Sequence, residues 1–196
     1  LLATFRGEIP DRVPIFETLI EDKHVENMLG HRAGNTLGAT GNAAKGSSDE
    51  AAVARPMRPE DYVKVCQFIG QDALIIEAIW APFRKIGEDG KLHIINDRSI
   101  KSRNDLKKII APTEQDIDEK IRYIKEYKGA VRDTRMGITL LTGPFFQLNY
   151  EFVVGMFDFM TKIMEDQEFV ERLLNIAAGY YAELVERACE AGIDFL

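Results

Sequence analysis

The stretch Asp72-Ala-Leu-Ile-Ile-Glu-Ala-Ile-Trp80 constrains the fold of this chain more than any other. Its apolar residues run on without alternating with polar ones, the pattern of a strand covered on both faces, as in parallel sheets. Parallel neighbours need crossover connections of a dozen or more residues, usually helices. The flanking sequence supplies them. Before the run, Arg58-Pro-Glu-Asp61 opens a helix with proline at a first helical position, Tyr62, Val65, Cys66 and Ile69 share its apolar face, and Gly70 suits its stop. After the run, Thr113-Glu-Gln-Asp116 resembles a capping box, followed by the stripe Ile117, Ile121 and Ile124 and by Gly129 as a terminator.

The alternation continues in both directions. Residues 12–19 read as a first strand and about 21–29 as a first helix. Residues 136–142 read as a further strand ending at Gly143-Pro144, with helices over about 150–164 and 167–191 behind it. In the first of these, Met156, Met160 and Met164 recur at helical spacing as core filler. The second carries Phe169, Leu173, Ala177, Tyr180, Leu184 and Ala188 on one side, Gly192 closes it, and residues 193–196 begin another strand. Strand and helix in turn build a parallel sheet with right-handed crossovers. The expected fold is therefore α/β, a (β/α)8 TIM barrel truncated after about four βα units. Residues 1–196 form a single domain, the N-terminal half of that barrel; a three-unit doubly wound sheet also fits the count. A bare strand straight after a long amphipathic helix reads as the end of a fragment.

Two segments interrupt the pattern. Between Gly30 and Pro56, Gly30, Gly34, Gly38, Gly41 and Gly46 accompany only Leu37 and Val53 as long apolar residues, so 30–56 reads as a long mobile loop. Within it Gly41-Asn-Ala-Ala-Lys-Gly46-Ser-Ser half-matches a phosphate-binding loop, but Lys45 precedes the second glycine and no strand leads in. About 83–96 reads as a β-hairpin, turned by Asp89-Gly90.

Composition excludes several classes. The chain is 45% hydrophobic and 29% charged, and its apolar runs stop short of the ~20 residues of a membrane helix. A net charge of −7 disfavours nucleic acid as a partner. Cys66 and Cys189, the two cysteines, read as inert buried thiols in a reducing, cytoplasmic setting. His24, His31 and His93 have no ligand spacing with either cysteine, so no metal is assigned to this chain.

Glu17 and Glu77 each fall at the carboxyl end of an expected strand, the face where parallel barrels place their chemistry. An ionised carboxylate in an apolar run is costly unless paired or functional. Glu77 is accordingly read as catalytic and Glu17 as substrate-binding, with ion pairs to Arg84 or Arg12 as the structural alternative. Tyr150 is a second catalytic candidate, while Gln147 and Asn149 line the same face as substrate-binding residues. Trp80 is read as a surface for stacking a flat ring system, or else as a core residue.

Three stretches carry a family resemblance when taken together: Arg6-Gly-Glu-Ile-Pro-Asp-Arg-Val-Pro-Ile-Phe-Glu17, Arg58-Pro-Glu-Asp-Tyr62 with Gly70-Gln-Asp-Ala73, and Gly179-Tyr-Tyr181 with Gly192-Ile-Asp194. With Gly143-Pro144 and Asp166 to Leu174 between them, they resemble the uroporphyrinogen decarboxylase superfamily, whose members include corrinoid-dependent methyltransferases. In order and texture the resemblance spans essentially the whole chain, and it implies a TIM barrel. The decarboxylase branch carries an Arg-Gln-Ala-Gly-Arg motif after its first strand, where cations hold a polycarboxylate. Here Glu17-Thr-Leu-Ile20 follows instead, with no arginine before Arg32, and Ile79 stands where that branch has an aspartate. Tyr150 alone matches a decarboxylase site position, after a one-residue shift.

The resemblance therefore implies a methyltransferase moving a methyl group between a methyl-corrinoid, such as methylcobalamin, and a thiol or other acceptor. Zn²⁺ is implied only through residues outside this chain. The alternatives are a decarboxylase acting on a tetrapyrrole and a non-catalytic module binding a corrinoid or a partner corrinoid protein. A homodimer is the further expectation, because open sheet edges invite pairing.

Overall fold

The computed structural model describes residues 1–34, 57–78, 83–142 and 145–196. Most of the expected loop, the half-matched phosphate loop, Ile79, Trp80 and Gly143-Pro144 lie outside them. In chain order the elements are α1 (Leu2–Phe5), α2 (Asp22–Leu29), α3 (Pro59–Ile69), β1 (Ala73–Glu77), β2 (Arg84–Ile86), β3 (Leu92–Ile94), a 3-10 turn (Asp105–Lys108), α4 (Glu114–Val131), β4 (Gly137–Leu141), α5 (Phe145–Leu148), a π-helical turn (Asn149–Val154), α6 (Met156–Glu165) and α7 (Gln167–Glu190). The chain divides into two compact units. The first holds Leu1–Ile79, Lys120–Leu141 and Ala188–Leu196, and the second holds Trp80–Glu119 and Thr142–Arg187.

The first unit is organised on β1 and β4, which pair in parallel from Ala73–Gly137 to Glu77–Leu141. Every residue of β1 is buried, as its unbroken apolar run requires. Pro59 starts α3, and Gly70 ends it with φ 74°, a left-handed conformation that glycine adopts without strain. The Gln71 amide then reaches back to the Cys66 carbonyl at 2.8 Å, which satisfies a carbonyl left over at the helix end. Tyr62, Val65 and Cys66 of α3 are buried, as are Ile121 and Ile124 of α4.

The second unit contains a short antiparallel pair, β2 with β3, in register from Arg84–Ile94 to Ile86–Leu92. Its loop runs from Gly87 to Lys91, longer than the two residues that Asp89-Gly90 alone predicts, and the Gly87 amide closes it on the Lys91 carbonyl at 2.8 Å. The start of α4 is fastened by Asp116, whose carboxylate accepts Thr113 Oγ1 at 2.7 Å and both guanidinium nitrogens of Arg84, at 2.7 and 3.2 Å. Burial alone would raise the Asp116 carboxyl. The bonds from Thr113 and Arg84 outweigh it and hold the group below the usual carboxylate range. On α7, Phe169, Leu173, Ala177 and Leu184 are all fully buried.

The expected barrel is not what forms. Helix takes about 53% of the described residues, and the sheets are two pairs, one parallel and one antiparallel, in place of four consecutive βα units. Residues 12–19 form no strand, and their backbone–backbone hydrogen bond runs from the Asp72 amide to the Ile15 carbonyl, at 2.7 Å. Pro14 removes a donor from that stretch, while Val13 stays 81% exposed instead of covering a sheet. At the other end a single parallel bridge, Thr139 to Phe195, stands in place of a strand.

The methionine stripe is also displaced. Met156, Met160 and Met164 are 59%, 44% and 82% exposed, because Phe159 takes the inward position on α6. Cys189 departs from expectation as well, lying exposed while Cys66 is buried. Burial pushes the Cys66 thiol up to about 12, so at pH 8 it holds almost no thiolate, the reactive form. In the native protein, one thiol per chain is expected to react promptly with an aromatic disulfide reagent at pH 8, and the second only after denaturation. Two prompt equivalents would contradict the packing of α3.

Candidate functional site

Parallel strands bring ligands to their carboxyl ends, where side chains of successive strand termini converge. In the first unit that end carries Glu77, the last residue of β1, paired in register with Leu141 and only 6% exposed. The ladder continues one residue beyond it, with the Ala78 amide donating to the Leu141 carbonyl at 2.8 Å. A carboxylate so far from water is expensive, and its surroundings must compensate it. The two arginines expected as its structural partners are engaged by aspartates: Arg12 with Asp72 at 2.6 Å, and Arg84 with Asp116 at 2.7 Å.

The first unit also buries a cluster of phenols, of which Tyr62 lies near enough to Glu77 to feel its charge. Burial, then Cys66, and more weakly Glu77, push the Tyr62 phenol up. Tyr62 packs edge-on against Tyr127, with centroids 5.9 Å apart. The Tyr127 hydroxyl donates to the Met57 carbonyl and meets Tyr123 Oη at 2.6 Å. Burial holds all three phenols protonated far above neutrality. These hydroxyls are therefore hydrogen-bond donors rather than bases. The Tyr62 hydroxyl is buried without a well-formed hydrogen bond, a rare condition in a folded interior. Tyrosines at 123 and 127 share a helix face by their spacing, which is the one signal the sequence offers for this pair.

The second unit holds the other candidates on one irregular segment. After α5 the chain widens into the π-helical turn Asn149–Val154, a geometry that occurs mostly as single turns and often at functional sites. Residues 98–101 take up the carbonyls that this turn leaves over. Arg98 donates from its amide to Phe152 O at 2.8 Å and from Nε to Glu151 O at 2.9 Å, and Lys101 Nζ reaches Val154 O at 2.7 Å. Arg98 does this from φ 56°, the one left-handed non-glycine among the described residues. Such a conformation persists only where surrounding contacts impose it.

Within this segment Asn149 is completely buried. Its Nδ2 donates to Phe145 O at 2.8 Å, while Oδ1 has no donor. Gln147 is exposed and donates to the Glu151 carboxylate at 2.6 Å. Tyr150 packs edge-on against Phe146 at 5.7 Å and tilted against Phe159 at 6.4 Å, so its ring is also a packing element.

The sequence-derived candidates thus fall in two places. Glu77 belongs to the first unit, where Glu17 is exposed on a segment that forms no strand. Gln147, Asn149 and Tyr150 cluster in the second unit. Among the described residues, no group of three or more His, Cys, Asp or Glu side chains is arranged to hold a metal ion, so the residues here do not fit a zinc site. Also among them, no helix is long and apolar enough to cross a membrane. Comparisons with family models, curated proteins and solved structures gave no match to this chain.

Proposed function

We propose that the protein is an enzyme of the uroporphyrinogen decarboxylase type and, within it, a corrinoid-dependent methyltransferase that moves a methyl group between a methyl-corrinoid and a thiol. The barrel that this resemblance implies is not the fold found, so the reading rests on residues and their placement. The observation that carries it is Glu77, a carboxylate almost out of water at the carboxyl end of a parallel strand. The absence of an arginine between Glu17 and Arg32 supports the methyltransferase over the decarboxylase, whose substrate needs cations to hold its carboxylates.

In the proposed step a thiolate sulfur attacks the methyl carbon of the corrinoid and the Co–C bond breaks, leaving its electron pair on cobalt. The products are a methyl thioether and cob(I)alamin. Glu77 accepts the proton of the incoming thiol, a role that requires only hydrogen-bond reach and an ionised carboxylate. The enzyme acts in a reducing cytoplasm on a small-molecule or protein-borne corrinoid, as a monomer or a homodimer.

The test is to mix the protein with methylcob(III)alamin and a thiol and to follow the corrinoid absorbance. Loss of the methyl-corrinoid band is expected. In Glu77→Gln, kcat/KM is expected to fall by about a hundredfold with an unchanged circular dichroism spectrum. No spectral change and no methyl loss would overturn the proposal. Release of CO₂ from uroporphyrinogen would place the decarboxylase first, and a spectral shift without turnover would mark a binding module.

A further inference from the structure

At the amino-terminal end of the parallel pair, opposite to Glu77, the first unit forms a solvent-open cavity of about 720 Å³. That volume lies in the range of small-molecule sites. Val131, Met136 and Phe195 contribute apolar wall, and four cationic side chains line the space: Lys125 and Lys128 from the second half of α4, and Arg132 and Arg135 from the connection to β4.

The charges do not cancel. Lys128 is paired with Asp194 at 3.2 Å, and Asp194 also accepts the Ile138 amide at 2.8 Å. Asp72 is held by Arg12 at 2.6 Å and by the Ile15 amide at 2.8 Å. This leaves Lys125, Arg132 and Arg135, none of which has a carboxylate within 4.0 Å among the described residues, against Asp11 as the one further acid of the lining. In a chain of net charge −7 this is a local excess of positive charge. Cations in the last turn of a helix complement its dipole, which accounts for Lys128. Arg132 and Arg135 lie beyond Val131, the last residue of α4, so the dipole gives no account of the second arginine.

We propose that this cavity is a binding site for a small organic polyanion, one that carries two or more carboxylate or phosphate groups on a partly apolar body. Guanidinium forks from Arg132 and Arg135 hold two anionic groups, Lys125 adds a point charge, and the apolar wall takes the body of the ligand. The assignment stands apart from the methyl-transfer reading, because it uses the other end of the strands and none of the residues that reading needs.

Isothermal titration of the protein at low salt with citrate and, separately, with inorganic pyrophosphate tests this assignment. Binding of at least one probe at one site per chain is expected, and which one binds distinguishes a carboxylate ligand from a phosphate ligand. The double variant Arg132→Ala/Arg135→Ala is expected to weaken binding at least about tenfold, the loss of roughly one charge-assisted contact or more. Both positions are exposed, so the circular dichroism spectrum is expected to stay that of the parent. Lys107→Ala, an exposed cation of the second unit, is expected to bind like the parent. Failure of both probes to bind at about 5 mM, a ceiling weaker than most functional small-molecule sites, would overturn the assignment. So would equal affinity in the double variant.

Discussion

Phe159→Ala is expected to cost about 3–5 kcal/mol of unfolding free energy, the range for removing a buried aromatic ring from a packed site. Phe159 is fully buried and meets Phe146 edge-on at 5.3 Å and Tyr150 at 6.4 Å. Its partners are anchored on either side. The π-helical turn is tied by Arg98 and Lys101, and Lys101 is in turn paired with Asp158. Neighbours so fixed cannot close over the space a ring leaves, which puts the cost toward the upper end. Denaturant unfolding followed by circular dichroism measures it. A loss below about 1 kcal/mol would mean that α6 can settle inward and that the turn is softer than its hydrogen bonds indicate.

Asp116→Ala is expected to cost about 1–3 kcal/mol at pH 7. The substitution removes the acceptor for Thr113 and for two nitrogens of Arg84, whose side chain is 19% exposed and whose Nε is already buried without a partner. The carboxylate itself is 33% exposed, so the value falls below that of a fully buried pair. The effect carries a pH signature. Because the folded-state pKa of Asp116 is depressed, the ionised carboxylate stabilises the fold fully above its unfolded-state pKa of ~3.9, and that contribution is lost as pH falls through the lower folded value. The gap between parent and variant should therefore be constant from neutral pH to about pH 5 and should narrow below about pH 4. A gap that widens in acid would show that Asp116 acts through something other than its charge.

Local signals in the sequence translated into structure wherever chemistry within a few residues decides the outcome. Proline at 59 and glycine at 70 bound α3, the Ile117, Ile121 and Ile124 stripe is buried on α4, and the apolar run at 73–77 is a buried parallel strand. The architecture was less legible. Residues 12–19 have strand-like composition, but Pro14 and the exposed Val13 and Ile15 leave them without a ladder. The methionine spacing on α6 suggests a core stripe, yet it is Phe159 that is buried there while all three methionines are exposed. Helical spacing fixes which residues share a face, not which face is inward.

The candidate site divides along the same line. Glu77 stands out because a charge in an apolar run is conspicuous. The unpartnered Asn149 Oδ1, the left-handed Arg98 and the phenol cluster of Tyr62, Tyr123 and Tyr127 depend on contacts between distant segments and leave little trace in local pattern.

The connectivity of the two units governs how this chain reaches its native state. The first unit is assembled from three separate lengths of chain, and β1 finds β4 only across about 60 intervening residues, many of which build the other unit. Closing a flexible loop of that size costs on the order of 3–4 kcal/mol of chain entropy before any strand pairing repays it. The helices α3 and α4 therefore have every opportunity to form first, and the parallel ladder is the late, cooperative event, a topology associated with slow folding. No single cut releases either unit whole, since the chain passes between them repeatedly. During synthesis the buried face of β1 must wait for residues 137–141, and for that interval its apolar run is the segment most in need of a chaperone.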